Sequence, residues 1–283
     1  MGLEKRVCCD TLCPMTLLHL AILAIVQGIT EFLPISSSGH LILVGEFFAQ
    51  QGGQDQGLMI DVGTHLGTLV AVMVYFRDRV AQIFRGLWDI ICRRKSFDGY
   101  LVWCLIVGTI PGLLGGAAIM LVDESLMRHV PIIIVTSLVF GALLWWTDKK
   151  GAQTKSIDQH LTIKHALYIG IAQMIALIPG TSRSGITMSM ARYLGYARTE
   201  AARLSFLLSI PVTAAAVALY LLKIVIKPPA IEQVQDFFIV AVMTFFVALG
   251  AIHYLLKWLT NHNFTVFVVY RILLAAVLVW WVV

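Results

Sequence analysis

Charged residues are scarce in this sequence. Asp, Glu, Lys and Arg make up 13% of 283 residues, where a soluble domain carries about 25%. That excludes an ordinary water-soluble globule. The formal balance of +5 is spread over short loops rather than gathered on one face, so nothing points to a nucleic-acid partner. Cysteine is thin as well: Cys8, Cys9, Cys13, Cys92 and Cys104 show neither metal-ligand spacing nor an even disulfide framework, and free thiols are expected. No cleavable leader is expected either. Lys5 and Arg6 precede an apolar run from Met15, but no small-x-small cleavage site follows it. The abrupt start of MTLLHLAILAIV suggests translation from Met15, with Met1–Pro14 an extension outside the core. A native chain whose intact mass includes Met1 would exclude that start.

What the sequence has in quantity is apolar surface, with 59% of residues from the set AVILMFWYC and a mean hydropathy of +0.84. Six stretches are long enough to cross a bilayer, at about 58–76, 101–121, 130–147, 204–222, 237–256 and 264–283. Two other apolar regions are interrupted. One runs from Met15 to about Ala49 and breaks at LPISSSGH; the other runs from about Ala166 to Tyr196 and breaks at PGTSRSG. Only about a dozen residues follow each break, a length suited to re-entrant segments rather than spans.

Charge placement tests this division. The segments 77–100 and 148–164 carry clustered Arg and Lys, and two spans separate them, so both face the cytoplasm. Segments 46–57 and 122–129 carry Glu46, Asp55, Asp123 and Glu124 and suit the outside. The parity closes only if both interrupted regions enter and leave on one face, the first from outside and the second from inside. A shift of 146 residues lays Gln27 on Gln173 and Gly39 on Gly185, and the span 58–76 on 204–222. Each half is then a hairpin plus three spans, an odd number of crossings, so the halves are inverted, and inverted repeats of broken helices mark a site near the midplane. The expected fold is an all-α integral membrane protein with six transmembrane helices, two re-entrant helix–loop–helix hairpins and an inverted-topology repeat. It is one membrane domain, with matched cores at about 15–121 and 166–256.

Two further patterns are architectural. Gly108, Gly112 and Gly116 recur every fourth residue, a face for close helix packing within the chain or in a homodimer. Residues 79–95 place Val80, Ile83, Phe84, Leu87 and Ile91 on one side among basic residues, as in a helix lying in the cytoplasmic interface.

The breaks hold the chemistry. In QGITEFLPISSSGH, Gln27 and Glu31 are four apart and share a helix face. Pro34 should end that helix, Ser36 or Ser37 should cap the returning one, and Ser37 and His40 lie three apart at its start. Free N–H groups and the positive helix end favour an anion there. The second break offers Thr181, Ser182, Ser184 and Arg183. A guanidinium inside a membrane normally has a partner or a task, and its planar fork suits phosphate oxygens. Glu31 paired with Arg183 as a purely structural lock is the bland alternative, and any single serine there more often serves the backbone. Together these residues are an inventory for metal-assisted phosphoryl hydrolysis. Asp61 and His65, four apart at the start of the first span, are a weaker candidate pair; the other histidines look peripheral.

QGITEFLPISSSGHL together with PGTSRSG resembles the undecaprenyl pyrophosphate phosphatase family, membrane enzymes linked to bacitracin resistance, and the likeness runs from about Met15 through nearly the whole chain. It implies hydrolysis of undecaprenyl pyrophosphate to the monophosphate and inorganic phosphate, recycling the lipid carrier of peptidoglycan synthesis. It also implies a multi-pass protein of the bacterial inner membrane, a divalent cation (Mg2+ or Ca2+) and a site open to the periplasm. By motif, the family's acidic pair falls on Gln27 and Glu31 as metal ligands. The essential serine falls on Ser37, the motif histidine on His40 and the phosphate-binding arginine on Arg183. Gln27 supplies no second carboxylate, so metal charge falls to Glu31 and the substrate's phosphates. Ser36, Thr181, Ser182 and Ser184 are expected at the phosphates, and Ser37 is expected to attack with His40 as its base or as the leaving-group acid. The rival from another class is a secondary transporter or lipid flippase, whose usual architecture is also an inverted repeat.

Overall fold

The computed structural model describes residues 17–50, 57–119, 129–226 and 231–282. Among these, regular structure is helical throughout, with one isolated backbone bridge between Lys155 and Tyr196. The helices are α1 (Leu17–Thr30), α2 (Ser37–Gln50), α3 (Gly57–Tyr75), α4 (Arg77–Ile91), α5 (Phe97–Ile119), α6 (Val130–Lys150), α7 (Ile157–His160), α8 (Ile163–Ile175), α9 (Arg183–Tyr193), α10 (Arg198–Ile226), α11 (Ile231–Asn261) and α12 (Thr265–Val282). Five are long and apolar enough to cross a membrane: α3, α5, α6, α10 and α11. These correspond to five of the six expected spans. The sixth falls on α12, whose apolar part, Thr265–Trp280, belongs with the shorter helices. The expected extension Met1–Pro14 lies outside the described residues.

Both interrupted regions form a helix, a break and a short second helix of 14 or 11 residues. The first break begins before Pro34. α1 closes at Thr30, and helix-like bonds continue from Glu31 N to Gln27 O and from Leu33 N to Ile29 O. Neighbouring elements fix where the breaks lie. Close approach at glycine seats α1 on α11, because a Cβ on Gly28 would meet Val247 at 2.8 Å. α3 runs parallel to α11: Gly63 abuts Phe237 and Val240, and Gly67 abuts Ala241 and Thr244. α8 crosses α5 where Gly170 meets the Gly108 backbone. This resolves the glycine stripe: Gly108 and Gly112 face Ala166, Gly170 and Gln173 of α8 inside the chain, and Gly116 meets nothing within 4 Å.

The apolar core beneath the breaks joins Phe32 to Val72, Leu144, Met188, Phe206 and Phe264. Phe32 meets Phe206 edge to face, with centroids 5.1 Å apart. On α4 the apolar side divides. Gly86 packs against the backbone of Asp98, while Phe84, Trp88 and Ile91 remain exposed. Of the described cysteines, Cys92 and Cys104 are free thiols.

A buried polar knot ties together the far ends of the elements that carry the site. Asp148, at the end of α6, accepts from Arg192 Nε at 3.0 Å and Arg198 Nε at 2.8 Å, and from the Phe264 N–H at 3.2 Å. Arg192 is fully buried and also donates to the carbonyls of Asp148, Gly151, Ala152 and Tyr196. One carboxylate thereby joins α6, α9, α10 and the entry to α12. Asp148→Ala leaves a buried guanidinium without its counter-charge. It should cost about 3–5 kcal/mol, read as a lowered melting temperature in detergent.

Candidate active site

The two breaks meet. Arg183 Nη2 lies 2.6 Å from Glu31 Oε1, across 152 residues of sequence, and the two side chains are 19% and 8% exposed. The other carboxylate oxygen, Oε2, accepts from Ser37 Oγ at 2.7 Å and Gln27 Nε2 at 3.0 Å. Ser184 Oγ donates to the Leu33 carbonyl at 2.9 Å, stitching the second break to the first. α2 starts at Ser37 and α9 at Arg183, so the positive ends of two half-helices converge where the carboxylate and the guanidinium meet.

Each turn is built the same way. Ser36 and Ser182 both hold positive φ, 74° and 70°, a region that costs a non-glycine residue about 1–3 kcal/mol unless its surroundings hold it there. Each serine's Oγ accepts from the N–H three residues on: Gly39 onto Ser36 at 3.4 Å, and Gly185 onto Ser182 at 3.2 Å. In the second turn Gly180 has φ +82°, and a Cβ there would collide with Thr136 Oγ1. Only glycine fits that turn.

Three buried atoms at the junction have no hydrogen-bond partner: Gln27 Oε1, Thr181 Oγ1 and Arg183 Nη1. A buried polar atom left unmet costs about 1–3 kcal/mol. Here a donor and an acceptor remain open beside a carboxylate and a guanidinium. A Glu31–Arg183 pair acting only as a lock would have no use for that unspent capacity; a polyanion with a bound cation would use it.

The expected hydroxyl–imidazole pair is absent. Ser37 donates to Glu31 instead of His40, because its Oγ faces back across the break to the end of α1. His40 spends Nδ1 on the Ser36 carbonyl and Nε2 on the Tyr270 hydroxyl, both at 2.7 Å. Three serines expected at the phosphates have structural partners: Ser36 on Gly39, Ser182 on Gly185 and Ser184 on Leu33. Of the weaker pair, His65 keeps Nδ1 on the Asp61 carbonyl at 2.7 Å.

Arg271 on α12 is the residue that the sequence reading passed over. Its side chain is fully buried. Nη1 donates to the carbonyls of Pro34 (3.4 Å) and Thr181 (3.1 Å), Nη2 to those of Gly180 (2.7 Å) and Thr181 (3.1 Å), and Nε to that of Ser137 (3.0 Å). One guanidinium thus holds both turns. A lone arginine inside the apolar run 264–283 was the available signal, by the same cost argument that singled out Arg183.

A family model described as bacitracin resistance protein BacA matches residues 20–277. A protein named undecaprenyl-diphosphatase from Saccharophagus degradans is 44% identical over 269 residues, covering 94% of this chain and 99% of that one. Its namesake from Teredinibacter turnerae is 44% identical over 265 residues, covering 93% and 98%. The one from Alteromonas mediterranea is 43% identical over 269 residues, covering 95% and 99%.

Proposed function

From the premise that the chain belongs to the bacitracin resistance protein BacA family, we propose that it hydrolyses undecaprenyl pyrophosphate to undecaprenyl phosphate and inorganic phosphate. It would thereby recycle a lipid carrier of cell-wall synthesis and support bacitracin resistance. The observation that carries this is the contact of Arg183, Glu31 and Ser37 at the meeting of two broken helices.

In this mechanism Arg183 and the N–H groups at the start of α2 and α9 grip the terminal phosphate, with the Thr181 hydroxyl beside them, and stabilise charge in its loose transition state. Ser37 Oγ attacks the terminal phosphorus and passes its proton to Glu31 Oε2, the atom it already faces. The bond to the bridging oxygen breaks, and undecaprenyl phosphate leaves. Water then releases phosphate from the seryl ester, with Glu31 returning the proton.

The residues present fit a divalent cation (Mg2+ or Ca2+). Gln27 Oε1 is an unmet buried acceptor beside Glu31, and magnesium takes one or two carboxylates plus substrate oxygens. Among the described residues no group of three His, Cys, Asp or Glu could hold a metal, so Gln27 and Glu31 would hold the ion jointly with the pyrophosphate. When bound, it would neutralise phosphate charge.

The finer architecture is part of the proposal: α3, α5, α6, α10, α11 and α12 span the inner membrane, and α1–α2 and α8–α9 are re-entrant. Two observations support an inverted repeat. The paired turns at Ser36 and Ser182 lie at equivalent positions. α1 packs on α11 as α8 packs on α5, each hairpin against the other half's second span. The loop charges support a first hairpin, and so a site opening, on the periplasmic side. A homodimer draws no support from Gly108 and Gly112, which are occupied within the chain.

Phosphate release in detergent micelles is the test, because transport has no meaning there. Release that falls with chelator and is lost in Ser37→Ala is expected; release untouched in Ser37→Ala removes the nucleophile. Chiral phosphorus separates the covalent route from direct attack by water. Net retention is expected, and inversion would exclude the seryl ester.

A further inference from the structure

Tyr270 has no part in the mechanism above, yet it touches the site. It precedes Arg271 on α12, and its hydroxyl lies 2.7 Å from His40 Nε2, 230 residues away in sequence. The two rings stack, with centroids 5.7 Å apart and planes 14° from parallel. At the other edge of the imidazole, Nδ1 lies 2.7 Å from the Ser36 carbonyl. A carbonyl oxygen has no proton to give, so Nδ1 carries the hydrogen. In the neutral ring the lone pair then sits on Nε2, the atom that the phenol meets.

Ser36 is where this chain of bonds ends, and its position is costly. It holds a φ of 74°, and the next residue is Ser37, whose Oγ must reach Glu31. Its carbonyl receives both the His40 ring and, at 3.4 Å, the His40 backbone N–H. Strained turns persist where surrounding contacts over-determine them. From α12, Arg271 secures the same turn through the Pro34 carbonyl.

We propose that Tyr270 is a positioning residue for the hydrolysis: its hydroxyl donates to His40 Nε2, fixes the imidazole in the Nδ1–H form, and through the bond to the Ser36 carbonyl holds the turn that aims Ser37 at Glu31. This rests on the assignment of Ser37 and Glu31 above. The Tyr270 side chain is partly exposed, unlike fully buried Arg271, so Tyr270→Phe keeps the ring stack and removes one hydroxyl without opening the core.

The test uses the full chain in micelles. Tyr270→Phe should lower kcat about tenfold, since a displaced reacting group is penalised steeply, with KM little changed because Arg183 keeps its grip. In a His40→Ala background the same substitution should have no further effect, as for two residues acting through one contact. Nitrogen-15 spectra of histidine-labelled protein, with His40 assigned by its loss in His40→Ala, should show the Nδ1–H form in the parent and a tautomer mixture in Tyr270→Phe. An Nε2–H ring in the parent, unchanged His40 shifts in Tyr270→Phe, or losses that multiply in the double variant would each overturn the proposal. The spectra read the tyrosine–histidine link without reference to turnover. A failure of the serine mechanism, seen as release surviving Ser37→Ala, is therefore distinguishable from a failure of this link.

Discussion

Arg183→Ala should cut phosphate release by a factor on the order of 10²–10³, the usual loss when a transition-state donor is removed, and leave the protein folded. The side chain is 19% exposed, and Glu31 loses its counter-charge but keeps its bonds from Ser37 and Gln27. Nη1 is free to take a phosphate oxygen while Nη2 stays on Glu31. Lysine restores a point charge but not this two-way grip, and Arg183→Lys should recover only part of the rate. Initial rates in micelles, beside melting curves of each variant, separate lost catalysis from lost fold.

Arg271→Met is expected to fail differently. Its donors serve carbonyls in both turns and in α6, and methionine fills the volume without a single N–H. Two or three turn carbonyls left unmet, at about 1–3 kcal/mol each, cost roughly 3–6 kcal/mol. Both stability and turnover should fall, with the melting temperature dropping before any change in substrate affinity can be read. A variant that melts like the parent and hydrolyses normally would mean that the two turns hold themselves together.

The meeting of the two breaks was legible in the sequence because three independent signals agreed: the short apolar lengths after each break, the loop charges and the 146-residue shift. The identity of the central pair followed from cost, since neither Glu31 nor Arg183 is tolerated in a membrane without a partner. Hydrogen-bond choice was less legible. Helix spacing suggested Ser37 with His40, but φ 74° at Ser36 turns the chain so that Ser37 faces Glu31. The Glu31–Ser37 contact spans that turn, and across it residue spacing carries no information. The glycine stripe announced a close contact and left its partner open, because a small-residue face describes one side of an interface only. Arg271 and Asp148 tie together segments remote in sequence, and only the folded chain reveals which carbonyls they meet.

The decisive measurement is a double-mutant cycle on phosphate release with Glu31→Gln and Arg183→Ala, singly and together. If carboxylate and guanidinium act on one pyrophosphate, the losses are strongly non-additive, and the double variant is little worse than the weaker single. Losses that simply multiply would mean that the two side chains serve separate steps, and a shared site at the meeting of the breaks would be contradicted.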